Sequence, residues 1–130
     1  MDMLDMTDQQ LNQAIGELMG YTVEKEATGG YTLKYNGEDQ GKRWMRAVFA
    51  WEQVPDYCAD PAASLEVQTA AIKANDRQYA INLAKRLEWD GDDLEYSDND
   101  VFSYTGVTVF MLASPRERAE AAYLTLSNRN

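Results

Sequence analysis

Two dipeptides constrain the fold of this chain more than any other feature: Asp60-Pro61 and Ser114-Pro115. In each, a short polar side chain able to cap backbone N–H groups precedes a proline whose fixed φ suits the first residue of a helix. Glu117, three residues after Ser114, completes a capping box. Helices are therefore expected from 61 to about 74 and from 115 to about 127. The first would turn Leu65, Thr69 and Ile72 inward and close at Asn75-Asp76. The second would bury Ala119, Ala122, Tyr123 and Leu126. A third helix is expected over 7–20, with Thr7 and Gln10 as a capping box, Leu11, Ile15 and Leu18 on one face, and Gly20 as its stop.

Between these helices the pattern shifts towards alternation. Gly29-Gly30 is a turn, and Tyr31, Leu33 and Tyr35 then alternate with Thr32 and Lys34 as in a strand. Asn36-Gly37 opens a polar loop through Lys42. Segment 43–52 reads as a second strand, with Met45, Ala47, Phe49 and Trp51 on one side and Trp44, Arg46 and Val48 on the other. Segment 78–87 fits a strand through Tyr79, Ile81 and Leu83, or a helix through Tyr79, Leu83 and Leu87; the strong turn signal before it favours the strand. Segment 104–113 is the most apolar strand candidate, with Val107, Val109 and Met111 against Thr108, Phe110 and Leu112. No repeat or low-complexity linker divides the 130 residues. The expectation is a single α+β domain over 1–130, with about four strands and three helices.

Composition bears on function mainly through what is missing. The chain has no histidine and one cysteine, Cys58. It therefore lacks the commonest general base, and neither a Ser-His-Asp nor a Cys-His catalytic set can be assembled. A zinc site would lack ligands, and no internal disulfide can form, which fits a reducing cytoplasm. Asp56 and Asp60 flank Cys58 with no nearby cation in sequence, an arrangement that raises a thiol pKa and leaves it inert. Catalytic residues, metal and cofactor are all expected to be none. The formal charge of −10 argues against direct nucleic-acid binding, which relies on clustered Lys and Arg. No apolar run approaches the roughly 18 residues that would suggest a membrane span, and no secretion signal is visible.

In so acidic a chain the cations carry the information. Arg116 and Arg118 lie in the first turn of the last helix, where the helix dipole disfavours a cation by about 0.3–1 kcal/mol. With the free N-terminal amides they could hold a phosphate or carboxylate; the simpler reading pairs them with Glu117, Glu120 or other acids. Lys42, Arg43 and Arg46 surround Trp44, whose ring could stack a nucleobase or could instead be packed beneath a helix. Tyr57 could add a stacking face or a hydroxyl, or serve the core. Residues 88–100 hold seven acids and no base. They read as a solvated loop, although Asp90, Asp92, Asp93 and Glu95 could also imitate DNA against a basic partner; their spacing does not match a calcium-binding EF-hand.

Three pieces together resemble the phage ABA-sandwich family: an N-terminal helix ending in Gly20-Tyr21, Val54-Pro55-Asp56-Tyr57 running into Asp60 and a helix, and Ala113-Ser114-Pro115 leading into the alanine-rich stretch Ala119 to Leu124. The resemblance implies an α/β/α sandwich with a mostly antiparallel sheet, expressed in the cytoplasm of an infected bacterium. The acidic middle departs from the family pattern, with Trp89 the candidate for its customary tryptophan. By analogy with small phage proteins that lack catalytic residues, the expected function is non-enzymatic and directed against host immunity. One form sequesters a nucleotide signal through Arg116, Arg118, Arg43, Trp44, Arg46 and Tyr57, as a homodimer enclosing its ligand between two copies. The alternative is an anti-CRISPR-like inhibitor that presents Asp90, Asp92, Asp93 and Glu95 to a host defence protein.

Overall fold

The structure is a computed structural model and describes residues 5–87 and 104–128. Within them the chain is α+β, with five helices and one three-stranded antiparallel sheet, against the expected three helices and about four strands. It divides into two compact units, Met1–Asp56 and Tyr57–Asn130.

The first unit opens with α1, Asp8–Met19. Thr7 and Gln10 form the expected capping box: the Thr7 hydroxyl accepts from the Gln10 amide at 3.1 Å, and the Gln10 side chain accepts from the Thr7 amide at 2.9 Å. Leu11 and Ile15 are fully buried, whereas Leu18 is largely exposed; Asn12 and Gly16 complete the inner face instead. Gly20 ends the helix at φ +108°, a left-handed conformation that costs glycine little.

Strands β1 (Tyr21–Lys25), β2 (Tyr31–Tyr35) and β3 (Glu38–Trp44) then pair in chain order. The stretch 36–42, expected as a loop, is in fact a tight turn followed by most of β3. Asn36 and Gly37 both take positive φ, 51° and 87°, which suits the two-residue hairpin connection between Tyr35 and its partner Glu38. Strand β1 went unread although Tyr21 and Val23 alternate with Thr22 and Glu24. It brings Tyr21 opposite Tyr35, with ring centroids 4.6 Å apart.

The strand expected over 43–52 ends at Trp44 and gives way to a short helix, α2, Ala47–Trp51. Ala50 of α2 and Val54, in the turn that follows it, join Leu33 in the core, with Val23, Trp44 and Trp51 packed around them. Val48 and Phe49 are left half-exposed, so the bulky residues read as two faces of a strand are divided by helical spacing instead.

The second unit is entirely helical among the described residues. Helix α3, Pro61–Arg86, starts where Asp60 caps it, the carboxylate accepting from the Ala62 amide at 3.1 Å. It has two arms, 61–74 and 76–86, broken at Asn75, whose backbone is extended (φ −164°, ψ 89°). The expected close at Asn75 is therefore present, but it is also a start: the Asn75 side chain accepts from the Gln78 amide at 3.1 Å and caps the second arm. This overturns the strand over 78–87. Tyr79, Asn82 and Leu83 are buried at helical spacing.

The strand over 104–113 is likewise a helix, α4, Tyr104–Met111. Its β-branched residues favour a strand intrinsically, but no strand of this unit is described that could pair with it, whereas a helix satisfies its own backbone. Helix α5, Pro115–Leu126, has the full capping box of Ser114 and Glu117 and packs along α3.

The buried faces of the first arm of α3 and of α5 are rich in small residues. On the first arm of α3 they are Ala63, Ser64, Val67 and Ala71; on α5 they include Ala119, Ala121 and Ala122. Small side chains let two helices approach closely. The face expected inside, through Leu65 and Ile72, is instead 45% and 42% exposed. Asn82 links the helices through a buried bond to the Thr125 hydroxyl at 3.0 Å.

Candidate functional site

The outward apolar side chains of the second unit are not scattered. Leu65 and Ile72 from the first arm of α3 and Val107, Phe110 and Met111 from α4 line one open groove of about 830 Å³, whose lining also includes the buried Leu83 of the second arm. That volume falls within the range of small-molecule sites. The break at Asn75 matters here, because both arms contribute to the wall. Across it the buried Tyr79 hydroxyl donates to Gln68 Oε1 at 2.7 Å, tying one arm to the other. Burial pushes the Tyr79 phenol well above its ordinary value, with Arg118 pulling the other way, so the hydroxyl stays protonated.

Arg118 also lines the groove. It is partly buried, and its guanidinium has no carboxylate partner among the described residues. A cation left without an acid among the described residues, on an apolar wall, is the most informative charge described in this unit.

The two arginines read together from the sequence have different surroundings. Arg116 Nε donates to Glu120 Oε2 at 3.1 Å, and Nη1 lies 3.9 Å from Cys58 Sγ. Burial works against its charge, but the Glu120 hydrogen bond and the nearby thiol outweigh it and hold Arg116 above its ordinary value. The pairing foreseen as the simpler reading thus holds for Arg116. The cation missing from the sequence neighbourhood of Cys58 arrives from 58 residues away, although the thiol is buried. Tyr57 is 1% exposed, with no face free for a ligand.

In the first unit, Trp44 is partly buried against the core and, with Lys42, Gln40, Tyr21 and Gln53, lines a small hollow of about 280 Å³. Arg43 is engaged elsewhere: its Nη1 bonds to Thr28 Oγ1 and lies 3.3 Å from the Gly29 carbonyl oxygen. Arg46 is exposed at the start of α2, and its side chain makes no cap. The patch read around Trp44 is therefore divided, with Lys42 and Trp44 lining one hollow and Arg43 bonded to the turn. Asp90, Asp92, Asp93 and Glu95, and Trp89, lie outside the described residues.

The groove itself was missed at the level of sequence. Its signal was available: Leu65 and Ile72 share a helix with Ala63, Val67 and Ala71, and only one of those two faces can meet the alanine face of α5. Among the described residues no cluster of three or more acidic or cysteine side chains is arranged to hold a metal, and no helix is long and apolar enough to cross a membrane. Compared with known proteins, the chain matches no family model, no curated protein and no solved structure.

Proposed function

We propose that this protein is a non-catalytic binding protein that sequesters a small anionic ligand, a nucleotide immune signal in the setting of a phage-infected bacterial cytoplasm. The observation that carries the reading is Arg118, without a carboxylate partner among the described residues, on the wall of a roomy groove lined by Phe110 and Tyr79. A guanidinium offers directed hydrogen bonds to phosphate, and apolar and aromatic walls suit a base. The lack of histidine supports binding over turnover. The resemblance to the phage ABA-sandwich family supplies the setting. With it goes an α/β/α layering, for which the antiparallel sheet and the helices α1 and α2 packed on it provide the coarse ingredients.

The groove is open rather than enclosed, so a second copy of the chain would complete the enclosure of a ligand. Light scattering on the purified protein is expected to give the mass of a dimer. Calorimetric titration with cyclic mononucleotides and dinucleotides is expected to give saturable heat with one member of the panel, lost in Arg118→Ala. Silence across the panel from a folded protein overturns the nucleotide reading.

A further inference from the structure

We infer that the groove of the second unit selects ligands with a single negative charge on an apolar or aromatic body, and discriminates against polyphosphates. This deepens the sequestering function proposed above and rests on it for the groove being a binding site. The argument is a charge count set against a surface. Among the described residues Arg118 is the one groove cation without any assigned ionic or hydrogen-bonding side-chain partner. One guanidinium can neutralise one phosphodiester, carboxylate or sulfonate, and can do so through two parallel hydrogen bonds. The groove's other guanidinium, Arg77, already has an interaction of its own, so among the described residues a second and third negative charge would meet no uncommitted cation. They would meet Asp76 on the same rim, on a chain of net charge −10.

The rest of the wall has the opposite preference. Leu65, Ile72, Val107 and Met111 are 42–71% exposed and gain from being covered. Each ligand atom that covers them is driven in by the hydrophobic effect, provided it is apolar. The volume, about 830 Å³, accommodates far more than the anionic group alone. A ligand of this chemistry could be a cyclic mononucleotide, whose one phosphodiester carries one charge, or a medium-chain carboxylate. The groove recognises what the two share.

The test uses the full chain and a fluorescent monoanion with an aromatic body, anilinonaphthalene sulfonate. Binding is expected to saturate at one probe per chain in protein whose near-ultraviolet circular dichroism shows native packing. Arg118→Gln is expected to weaken it about tenfold or more, while Lys73→Gln, the same charge change outside the groove, leaves it unaltered. Displacement by cyclic AMP, or by dodecanoate, should require at least about tenfold less competitor than displacement by ATP. If Arg118→Gln does not fold, salt takes its place: added sodium chloride should weaken the probe and the weakening should be absent for a neutral naphthalene analogue. Displacement by dodecanoate but by no nucleotide sustains the monoanion site and ends the nucleotide reading. Probe binding that never saturates, that ignores both Arg118 and salt, or that yields to ATP before the monoanions overturns the inference.

Discussion

The buried contact between Asn82 and Thr125 allows a prediction whose sign, and not only its size, follows from the structure. Asn82 is 2% and Thr125 4% exposed, and the amide Nδ2 donates to the hydroxyl at 3.0 Å. The Thr125 hydroxyl in turn donates to the Ala121 carbonyl at 2.9 Å, so its own proton is used within α5. Thr125→Val keeps the shape but removes the acceptor. One amide N–H of Asn82 then loses its partner in a place water does not reach, at a cost of about 1–3 kcal/mol. Replacing both groups is different. Asn82→Leu combined with Thr125→Val removes this donor and this acceptor together, so the cost of leaving that N–H unpaired does not arise. Gln78, which donates to Asn82 Oδ1 at 3.0 Å, is only partly buried and can turn to water. The double variant should therefore be more stable than Thr125→Val alone, with a coupling of about 1 kcal/mol or more. Urea denaturation followed by far-ultraviolet circular dichroism reads the second unit, which holds most of the helix. Additive single effects, or a Thr125→Val cost below about 0.5 kcal/mol, would refute the reasoning.

Three further outcomes are expected. Gly20→Ala should lower stability by about 1 kcal/mol or more, because the residue sits at φ +108° and an added Cβ would collide with the Asn36 side-chain oxygen; thermal melting of the first unit, followed by Trp44 and Trp51 fluorescence, measures it. Arg116→Ala should cost about 2 kcal/mol by chemical denaturation, since Glu120 is 8% exposed and would lose its cationic partner, and Arg116→Ala with Glu120→Gln should recover part of that. The pH dependence runs from Tyr79: its folded pKa is raised by burial above the ordinary 10.0, so the unfolded chain gives up that proton first. The stabilisation is complete below about pH 10 and is lost as pH rises through the folded value. Tyr79→Phe should flatten this alkaline loss in melting experiments, and a slope identical to that of the unsubstituted protein would count against the assignment.

How far the sequence could be read depended on whether its signals were local. Caps and stops are local, and Thr7, Gly20, Asp60, Asn75 and Ser114 all sit at helix boundaries in the structure. Strand against helix is settled by partners, and here alternation misled. Segments 78–87 and 104–113 contain enough Val, Ile, Tyr and Thr to suit a sheet, yet they pack as helices in a unit where no strand is described. Conversely, Glu38–Trp44 is almost wholly exposed and polar, and it is a strand because the Asn36-Gly37 turn folds it back onto β2. The Arg116–Glu120 pair, four residues apart, was within reach of the sequence, but the long-range contacts were not: nothing near Cys58 foretold Arg116, and nothing near Arg118 foretold a groove built by α3 and α4.

The misassigned face of α3 has the most consequence for function. A reader of amphipathic helices places the largest apolar residues inward, because their burial contributes most to stability. In this unit the close contact is made by Ala63, Val67 and Ala71 towards the alanine-rich α5, and Leu65 and Ile72 are left outside. A fold selected for stability alone would gain by covering them. Their exposure in one groove with Val107 and Met111, beside a cation that has no acid partner among the described residues, is a local departure from the rule that sequence levels agree. Such departures cost stability, and they persist where a surface must stay open for something else to cover. The residues that made the inner face hard to identify are thus the ones that line the groove proposed above as the binding surface.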